Sequence, residues 1–400
     1  MRIVQFARGF GPAGGISGVA FELARGLSGL GIETHSVCAK FTGSVAGVAV
    51  QRLRLQLAGL EDRGPFLRRV VLPFSTCQFT LAGSLAARSW ERPDTVVISH
   101  SEVIGGDVVV MHSVHEAALA QSWREGRRAF LLNPLHGWLV LRNRFLLGPT
   151  RPRRVVVVGK RLRDELLRWH AIPEQRIRYI PNGVDVARFR PPSTSEKAAA
   201  RAAIGLPTAA RVVCLAGYVF GHKGLDVLLL GMAREGATWH VIVVGSDAAG
   251  PFEELARRLG VQDRVRFLGL RKDIERIYWA ADLFALPSRY ESFPLVCMEA
   301  MACGLPLVAT RVGGVEDYVH DGENGFLVAR EPDAVAAAIA RCLVSEEVLT
   351  RLGRNARSTA LHHTWDGVAR QYADLAAEIL DEKRAGGRLS LRDQDALLTV

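Results

Sequence analysis

Short apolar runs alternate with segments of helical period along most of the chain, and that alternation constrains the fold more than any single motif. RIVQFA, ETHSVCA, TVVISH, DVVVMH and RVVVVG in the first half, and RVVCLAG, WHVIVVG, RVRFLG, LFALPS and LPLVAT in the second, read as strands. FELARGL, LRDELLRWH, GLDVLLLGMA, FEELARRLG, DIERIYWAA and PLVCMEAMA repeat like helices between them. Nearly continuous apolar strands separated by helices call for parallel sheets covered on both faces. Four hundred residues exceed what one core usually organises, so two such domains are expected.

The two sets of strands separate at PNGVDVARFRPPSTS, near Asn182 to Ser195, where turn residues give way to a polar, proline-rich linker. The sequence therefore predicts an α/β chain of two Rossmann-like parallel-sheet domains, residues 1–187 and 188–362. A helix-period segment from Trp365 to Leu380 follows, within 363–382. After it the charged, aperiodic EKRAGGRLSLRDQDALLTV reads as a flexible tail, residues 383–400. Asp393 and Asp395 spell DxD in that tail, and no metal role is assigned to them.

Apolar residues make up 48% of the chain, enough for both cores. The six cysteines, Cys38, Cys77, Cys214, Cys297, Cys303 and Cys342, form no CxxC pair and no cluster with histidine at metal spacing. That pattern suits reduced core residues in the cytosol better than a disulfide or zinc framework. Arg2 and Arg8 bracket only five residues, too few for an export signal, and no run of about 18 uncharged apolar residues is read, so neither a membrane span nor export is expected. Charge is uneven. Residues 1–189 carry 26 Lys and Arg against 14 Asp and Glu, whereas residues 190–400 carry 25 against 27. Many of the basic groups lie between Arg124 and Arg168, interleaved with Phe130, Leu131, Leu132, Trp138, Leu139, Phe145 and Leu146. Such a face binds anionic lipid or an anionic ligand, or is solvated basic surface. No nucleic acid is expected, because no recognition helix, finger or RNA-binding signature accompanies the charge.

The loop GFGPAGGISG, Gly9 to Gly18, joins the first strand to the first helix, and its first six residues spell GxGxxG. A nicotinamide enzyme also needs an acid at the end of its second strand, about 20 residues beyond the glycines, to hold a ribose. Here ETHSVCAK ends in Cys38-Ala39-Lys40 and Glu33 opens the strand, so an NAD-dependent oxidoreductase fails the second requirement.

RYESFPLVCMEA, Arg289 to Ala300, follows the strand LFALPS and is more informative. Ser292 is expected as a helix N-cap, with Pro294 in the first turn. A helix then starts at the carboxyl end of a parallel strand, where α/β domains bind ligands and free N–H groups favour phosphate. Glu291 and Glu299 stand eight residues apart, at most about 12 Å along a helix. That exceeds the roughly 5 to 9.5 Å of glycosidase carboxylates and suits acids that grip hydroxyls at two ends of an extended ligand. AGYVFGHKGLD, residues 216–226, places Lys223 in a glycine-flanked loop, where a compact ammonium can neutralise a diphosphate. MACGLPLVATRVGG and EDYVHDGENGFLV add glycine turns after successive strands, readable as ligand contacts or as ordinary turns.

With these residues in hand, the region from 154 to 385 resembles the C-terminal part of a family 4 retaining glycosyltransferase with the GT-B fold. Its specific motif is E-x7-E, Glu291-Ser-Phe-Pro-Leu-Val-Cys-Met-Glu299, supported by IPNGVD before FRP, KGLD, VVGS, VRFLG, VGGVEDYVHDGENGFLV and Trp365. The first half is similar through Gly14-Gly15 and His112.

The resemblance implies two domains facing a central cleft, a C-terminal helix returning to the first domain, and closure hinged near Asn182 and Trp365. It implies a nucleotide-diphosphate sugar donor, a UDP-sugar favoured and a GDP-sugar next, with no metal or other cofactor. The acceptor would be a saccharide, a lipid-linked or a phosphorylated molecule bound mainly by the first domain. Glu291, His112 and Lys223 are the catalytic candidates it implies. Glu299 would hold the ribose hydroxyls, Leu270 and Arg271 would touch the base, and Ser292, Phe293, Pro294 and Leu295 would meet sugar and phosphate. Gly14 and Gly15 would bring backbone N–H groups to the diphosphate, and His112 would hydrogen-bond the donor sugar.

Members of the family carry an arginine in a GR-x4-K pattern, but Gly217-Tyr218 precedes Lys223 here. Tyr218 thus enters the donor site in place of a charge, and Arg289, His222 or Arg8 are the candidates to replace it. The same departure admits a weak or inactive sugar-nucleotide-binding subunit as the alternative. A cytoplasmic location with peripheral contact to anionic membrane completes the expectations.

Overall fold

The computed structural model describes the chain except residues 13, 61–64, 127–132, 149–151, 235 and 398–400, and describes only the backbone of 65–69, 134 and 386–397. Phe130, Leu131 and Leu132 of the basic segment therefore lie outside the described residues. The chain divides into two compact units, Met1–Asn182 together with Trp365–Val400, and Gly183–Thr364.

The first unit contains β1 (Arg2–Phe6), β2 (Gly9–Phe10), β3 (Glu33–Cys38), β4 (Lys40–Phe41), β5 (Val48–Arg52), β6 (Thr95–Ser99), β7 (Val108–Met111), β8 (Arg154–Val157) and β9 (Ile177–Tyr179). Seven of them form a parallel sheet ordered β5-β3-β1-β6-β7-β8-β9. β6 and β7 are buried at every position, as strands covered on both faces must be. Helices α1 (Ile16–Gly29), α2 (Pro65–Ser89), α3 (His115–Arg124), α4 (Pro134–Leu146) and α5 (Lys160–Trp169) belong to this unit.

The first two of the GxGxxG letters lie in a strand, not in a turn. Gly9 and Phe10 pair with Lys40 and Phe41 as a separate two-stranded ribbon. The absent side chains of Gly9 and Gly11 make room for Ser17 and Thr42, whose hydroxyls would lie 2.1 Å from a Cβ at either position.

Helix α2 corrects one expectation. Val70 to Ala87 carries no charge, and Val70–Ser89 is long and apolar enough to cross a membrane by length and composition. Ser75, Thr76, Gln78, Thr80 and Ser84 interrupt the run and hide it from a search for purely apolar residues. Phe79 and Ala87 join Val4, Phe6 and Val97 in the core, and Gly83 lets Val103 approach. On the opposite side Val70, Phe74, Leu81 and Leu85 are between 48% and 66% exposed. Their spacing places them on one helical stripe.

The second unit contains α6 (Thr194–Ala203), β10 (Val212–Ala216), α7 (Phe220–Lys223), α8 (Leu225–Met232), β11 (His240–Val244), α9 (Gly250–Arg258), β12 (Val265–Phe267), α10 (Ile274–Ala280), β13 (Leu283–Leu286), α11 (Leu295–Ala302), β14 (Leu307–Thr310), β15 (Gly325–Val328), α12 (Pro332–Leu343) and α13 (Glu346–Leu361). Its parallel sheet is ordered β12-β11-β10-β13-β14-β15. Ser193 caps α6 in a reciprocal box with Glu196. Buried Asp282, just before β13, accepts from Arg201 at 2.8 Å, Lys197 at 2.6 Å and the Val212 amide at 2.8 Å, tying α6 and β10 to β13. The chain enters and leaves the unit side by side, with the Val184 amide donating to the His363 carbonyl at 2.8 Å.

The last helix, α14 (Trp365–Leu397), belongs to the first unit and packs on α1. Gly26 permits the approach, since a Cβ there would lie 2.6 Å from the Ala369 Cβ. Lys383 anchors the helix further along by donating to the Thr95 carbonyl and to Asp107, both at 2.7 Å. The helix continues to Leu397, through the stretch read from sequence as a flexible tail. RLSLRDQDAL contains no proline, and most of its residues tolerate a helix, so nothing in it breaks the ladder.

Candidate functional site

β10 and β13 are neighbours at the centre of the second sheet, and the segments leaving their carboxyl ends carry Lys223 and Glu291. Glycines press these segments together. A Cβ on Gly217 would lie 2.6 Å from Lys223 Cγ, and one on Gly224, which has φ +85°, would lie 2.1 Å from the Pro287 carbonyl oxygen. Lys223 Nζ consequently donates to Glu291 Oε1 at 2.6 Å. The same oxygen accepts from Ser288 Oγ at 2.7 Å, while Thr310 Oγ1 holds the Ser288 carbonyl at 2.7 Å. The two side chains are 17% and 11% exposed, so the pair is shielded from solvent but not sealed.

The glycine turn after β14 clamps the segment from the other side. Gly313 takes φ +53°, and a Cβ there would lie 2.1 Å from the Glu291 carbonyl oxygen. Gly314 donates its amide to the Ser292 carbonyl at 2.7 Å. Ser292 is therefore bound to this turn and does not cap the helix, contrary to the sequence reading. α11 begins at Leu295, with Pro294 in the capping position and no side-chain cap. The N–H groups of Leu295 and Val296 thus lead the helix without a side-chain acceptor, and Phe293 is buried against Tyr318.

Glu299 lies one turn into α11, where Tyr278 donates its hydroxyl to Oε2 at 2.9 Å. Burial raises the Glu299 pKa above the usual carboxylate value, and the Tyr278 hydrogen bond opposes that shift. Leu270 is exposed on the segment after β12, and the neighbouring Arg271 pairs with Asp273 at 2.8 Å.

Tyr218 is exposed. Among the candidates to supply the missing charge, Arg289 lies 3.6 Å from Asp226, and His222 Nε2 is hydrogen-bonded to the Tyr290 carbonyl at 2.7 Å. Arg8 belongs to the first unit, where its amide donates to Glu102 at 2.6 Å. A group missed in the sequence is Arg330, which donates to Asp226 at 2.7 Å and to the Gly221 carbonyl at 3.4 Å. It lies between β15 and α12, outside every motif, so only the fold brings it beside the lysine loop.

Gly14, Gly15 and His112 belong to the first unit. Gly15 has φ +77° and precedes α1, with open space around it and Gly14. His112 follows β7 and contacts His100 at 3.1 Å. Sequence reasoning also missed a buried polar group here. Arg142 on α4 interacts electrostatically with Glu102, Arg8 and Glu116, and its Nε has no hydrogen-bond partner among the described residues.

Residues 13–188 match the family described as Glycosyltransferase Family 4, and residues 196–359 match Glycosyl transferases group 1. A D-inositol 3-phosphate glycosyltransferase of Catenulispora acidiphila is 33% identical over 94% of this chain and 93% of its own. The chain belongs to glycosyltransferase family 4. Solved glycosyltransferase structures share its fold. WaaG, a glycosyltransferase involved in lipopolysaccharide biosynthesis, superposes with TM-score 0.76 at 19% identity over 93% of this chain and 99% of its own. Sucrose-phosphate synthase from Thermosynechococcus elongatus gives TM-score 0.76 at 22% identity over 96% and 100%. This family 4 enzyme therefore has the GT-B fold expected from its motifs, with Lys223 and Glu291 on the segments that leave its central strands β10 and β13 and Glu299 one turn into α11.

Proposed function

We propose that this glycosyltransferase moves a sugar from a nucleotide-diphosphate sugar, a UDP-sugar before a GDP-sugar, to an acceptor hydroxyl with retention and without a metal or other cofactor. The observation that carries the reading is the Lys223–Glu291 pair beside the uncapped start of α11. Lys223 and the leading N–H groups of α11 would stabilise the departing diphosphate, where preorganised charge does most of the catalytic work. Glu299 would accept from the ribose hydroxyls, and Glu291 would lie beside the transferred sugar. The leaving phosphate itself would take the acceptor's proton on the same face as it departs.

The acceptor we propose is a phosphorylated polyol or saccharide. Support comes from the name of the Catenulispora relative and from charge. The first unit carries 30 Lys and Arg against 20 Asp and Glu, and the second 21 against 21, so the whole excess of +10 belongs to the first. A lipid-linked acceptor at the cytoplasmic face of an anionic membrane is the second reading, favoured by the exposed stripe on α2.

A thermal-shift screen of UDP- and GDP-sugars tests the donor, since a ligand at 100 times its Kd stabilises by about 2.7 kcal/mol. Turnover is then measured with inositol phosphates, phosphosugars and lipid-linked saccharides. If no sugar nucleotide stabilises the protein, the donor assignment falls. Stabilisation without transfer or hydrolysis would favour the inactive subunit, with Tyr218 as its cause.

A further inference from the structure

His112 follows β7, and one of its ring nitrogens is already engaged. His100, which follows β6, places Nδ1 3.1 Å from His112 Nε2, with the ring centroids 5.4 Å apart. On its other side His100 Nε2 lies 3.0 Å from Gln5 Oε1. A further contact fixes which way the Gln5 amide points. Its Nε2 donates to the Ala20 carbonyl at 2.7 Å and to Ser36 Oγ at 2.9 Å. A carbonyl only accepts, so the amide nitrogen must face Ala20 and the amide oxygen must face His100.

His100 Nε2 therefore carries a proton. Gln5, Ser36 and His100 are buried, and no carboxylate meets the His100 ring among the described residues, so burial keeps that imidazole neutral. A neutral imidazole has one N–H, which leaves His100 Nδ1 as an acceptor. The proton in the 3.1 Å contact must then belong to His112 Nε2.

We infer that Gln5 and His100 lock His112 in the Nε2–H tautomer, so that His112 offers a bare Nδ1 that accepts a hydrogen bond from a donor-sugar hydroxyl. The tautomer stands on the geometry alone, while its ligand rests on the function proposed above. Nδ1 has no hydrogen-bond partner among the described residues. Burial also pushes the His112 pKa down to about 4, so the neutral form persists at neutral pH. The selectivity follows from the lone pair. A hydroxyl can donate to Nδ1, whereas a uronate carboxylate at the same place brings negative charge against it. His100 and Gln5 are thus positioning residues that set donor class without touching the donor.

Long-range proton–nitrogen NMR on protein labelled with ¹⁵N-histidine reads the tautomer directly. At neutral pH His112 is expected as Nε2–H with an unprotonated Nδ1; an Nδ1–H or doubly protonated ring overturns the inference whatever the activity. Gln5→Glu sets a carboxylate beside His100, charges that ring and reverses the relay, so His112 should switch to Nδ1–H. An unchanged His112 signal in that variant, once His100 is seen to be charged, also overturns it. His100→Asn keeps an acceptor near the Nδ1 position and should preserve the wild-type signal, whereas His100→Leu should lose it and lower kcat/KM for UDP-glucose about tenfold. In Gln5→Glu the preference for UDP-glucose over UDP-glucuronic acid should fall about tenfold. Failure of every UDP-sugar to bind, with the tautomer as expected, would count against the proposed donor and not against the relay.

Discussion

Lys223 Nζ lies 2.6 Å from Glu291 Oε1, joining the segments that leave two neighbouring strands of the second sheet. The ammonium is held by Glu291 without any ligand, so a diphosphate bound as proposed would share a charge already in place. Lys223→Ala should lower kcat/KM by about 10²–10³ through loss of that charge. It should also cost about 1–3 kcal/mol in urea unfolding, because Glu291 is left with Ser288 alone. Glu291→Gln keeps an acceptor for Lys223 and should be milder on stability while still reducing turnover. Wild-type turnover in Lys223→Ala would remove the lysine from the diphosphate role.

Glu299 predicts a pH dependence of nucleotide affinity. Its folded pKa lies above the usual carboxylate value, so ionising it costs stability, and that stability returns as pH falls through the folded pKa. If Glu299 holds the ribose as proposed, protonation removes its charge and turns one acceptor oxygen into a donor, so UDP affinity should weaken on acidification at a higher pH than an ordinary glutamate would give. Tyr278→Phe removes the bond that lowers this pKa, and calorimetric titration should find the acid limb displaced further upward. An acid limb that stays put would show that another group controls it.

Glycine substitutions separate folding from function. Gly313→Ala combines φ +53° with a Cβ 2.1 Å from the Glu291 carbonyl oxygen, and should destabilise by about 1–3 kcal/mol or more. Gly14→Ala meets nothing within 4 Å and should leave Tm unchanged. Any loss of activity in Gly14→Ala then reports on a ligand near the loop. Equal Tm values for the two variants would contradict the packing described around Gly313.

The central strands and the E-x7-E segment were legible because each is local: an unbroken apolar run, or two acids eight residues apart on one chain segment. The short strands β5, β9 and β15 were not. VAVQR and IRY are partly exposed, and GFLV follows the glycine turn of HDGENGFLV without a break in the sequence. α2 was obscured by its hydroxyl residues and by Pro73, which reads as a helix breaker. Arg330 meets Asp226 across 104 residues and His100 meets Gln5 across 95, so no window of sequence contains either pair. Ser292 was misread because a serine beside a helix start is a good cap in isolation, and only the fold brings Gly314 against it.

Asp282 supplies a stability test remote from Lys223 and Glu291. Three donors converge on its buried carboxylate, two of them cationic. Asp282→Ala leaves Arg201 buried beside an empty acceptor position and should cost about 3–5 kcal/mol. Chemical denaturation measures this, with Asp282→Asn falling between the variant and wild type. A loss below about 1 kcal/mol, the scale of an exposed pair, would mean that solvent reaches the cluster.

The stripe on α2 predicts where a membrane would be met if the acceptor is lipid-linked. Phe74, Leu81 and Leu85 are exposed on the side of α2 opposite Phe79 and Ala87, so serine there should leave the core intact. Phe74→Ser/Leu81→Ser/Leu85→Ser should keep the wild-type Tm and lose co-sedimentation with vesicles containing phosphatidylserine. The basic first unit adds a salt-sensitive contribution, since a Lys or Arg near such a surface is worth about 1 kcal/mol and is screened within a Debye length. Wild-type binding should therefore weaken at high salt and on neutral vesicles, and the triple variant should bind neither. Binding indifferent to both lipid charge and the triple substitution would remove the membrane from the proposed function and leave the soluble phosphorylated acceptor.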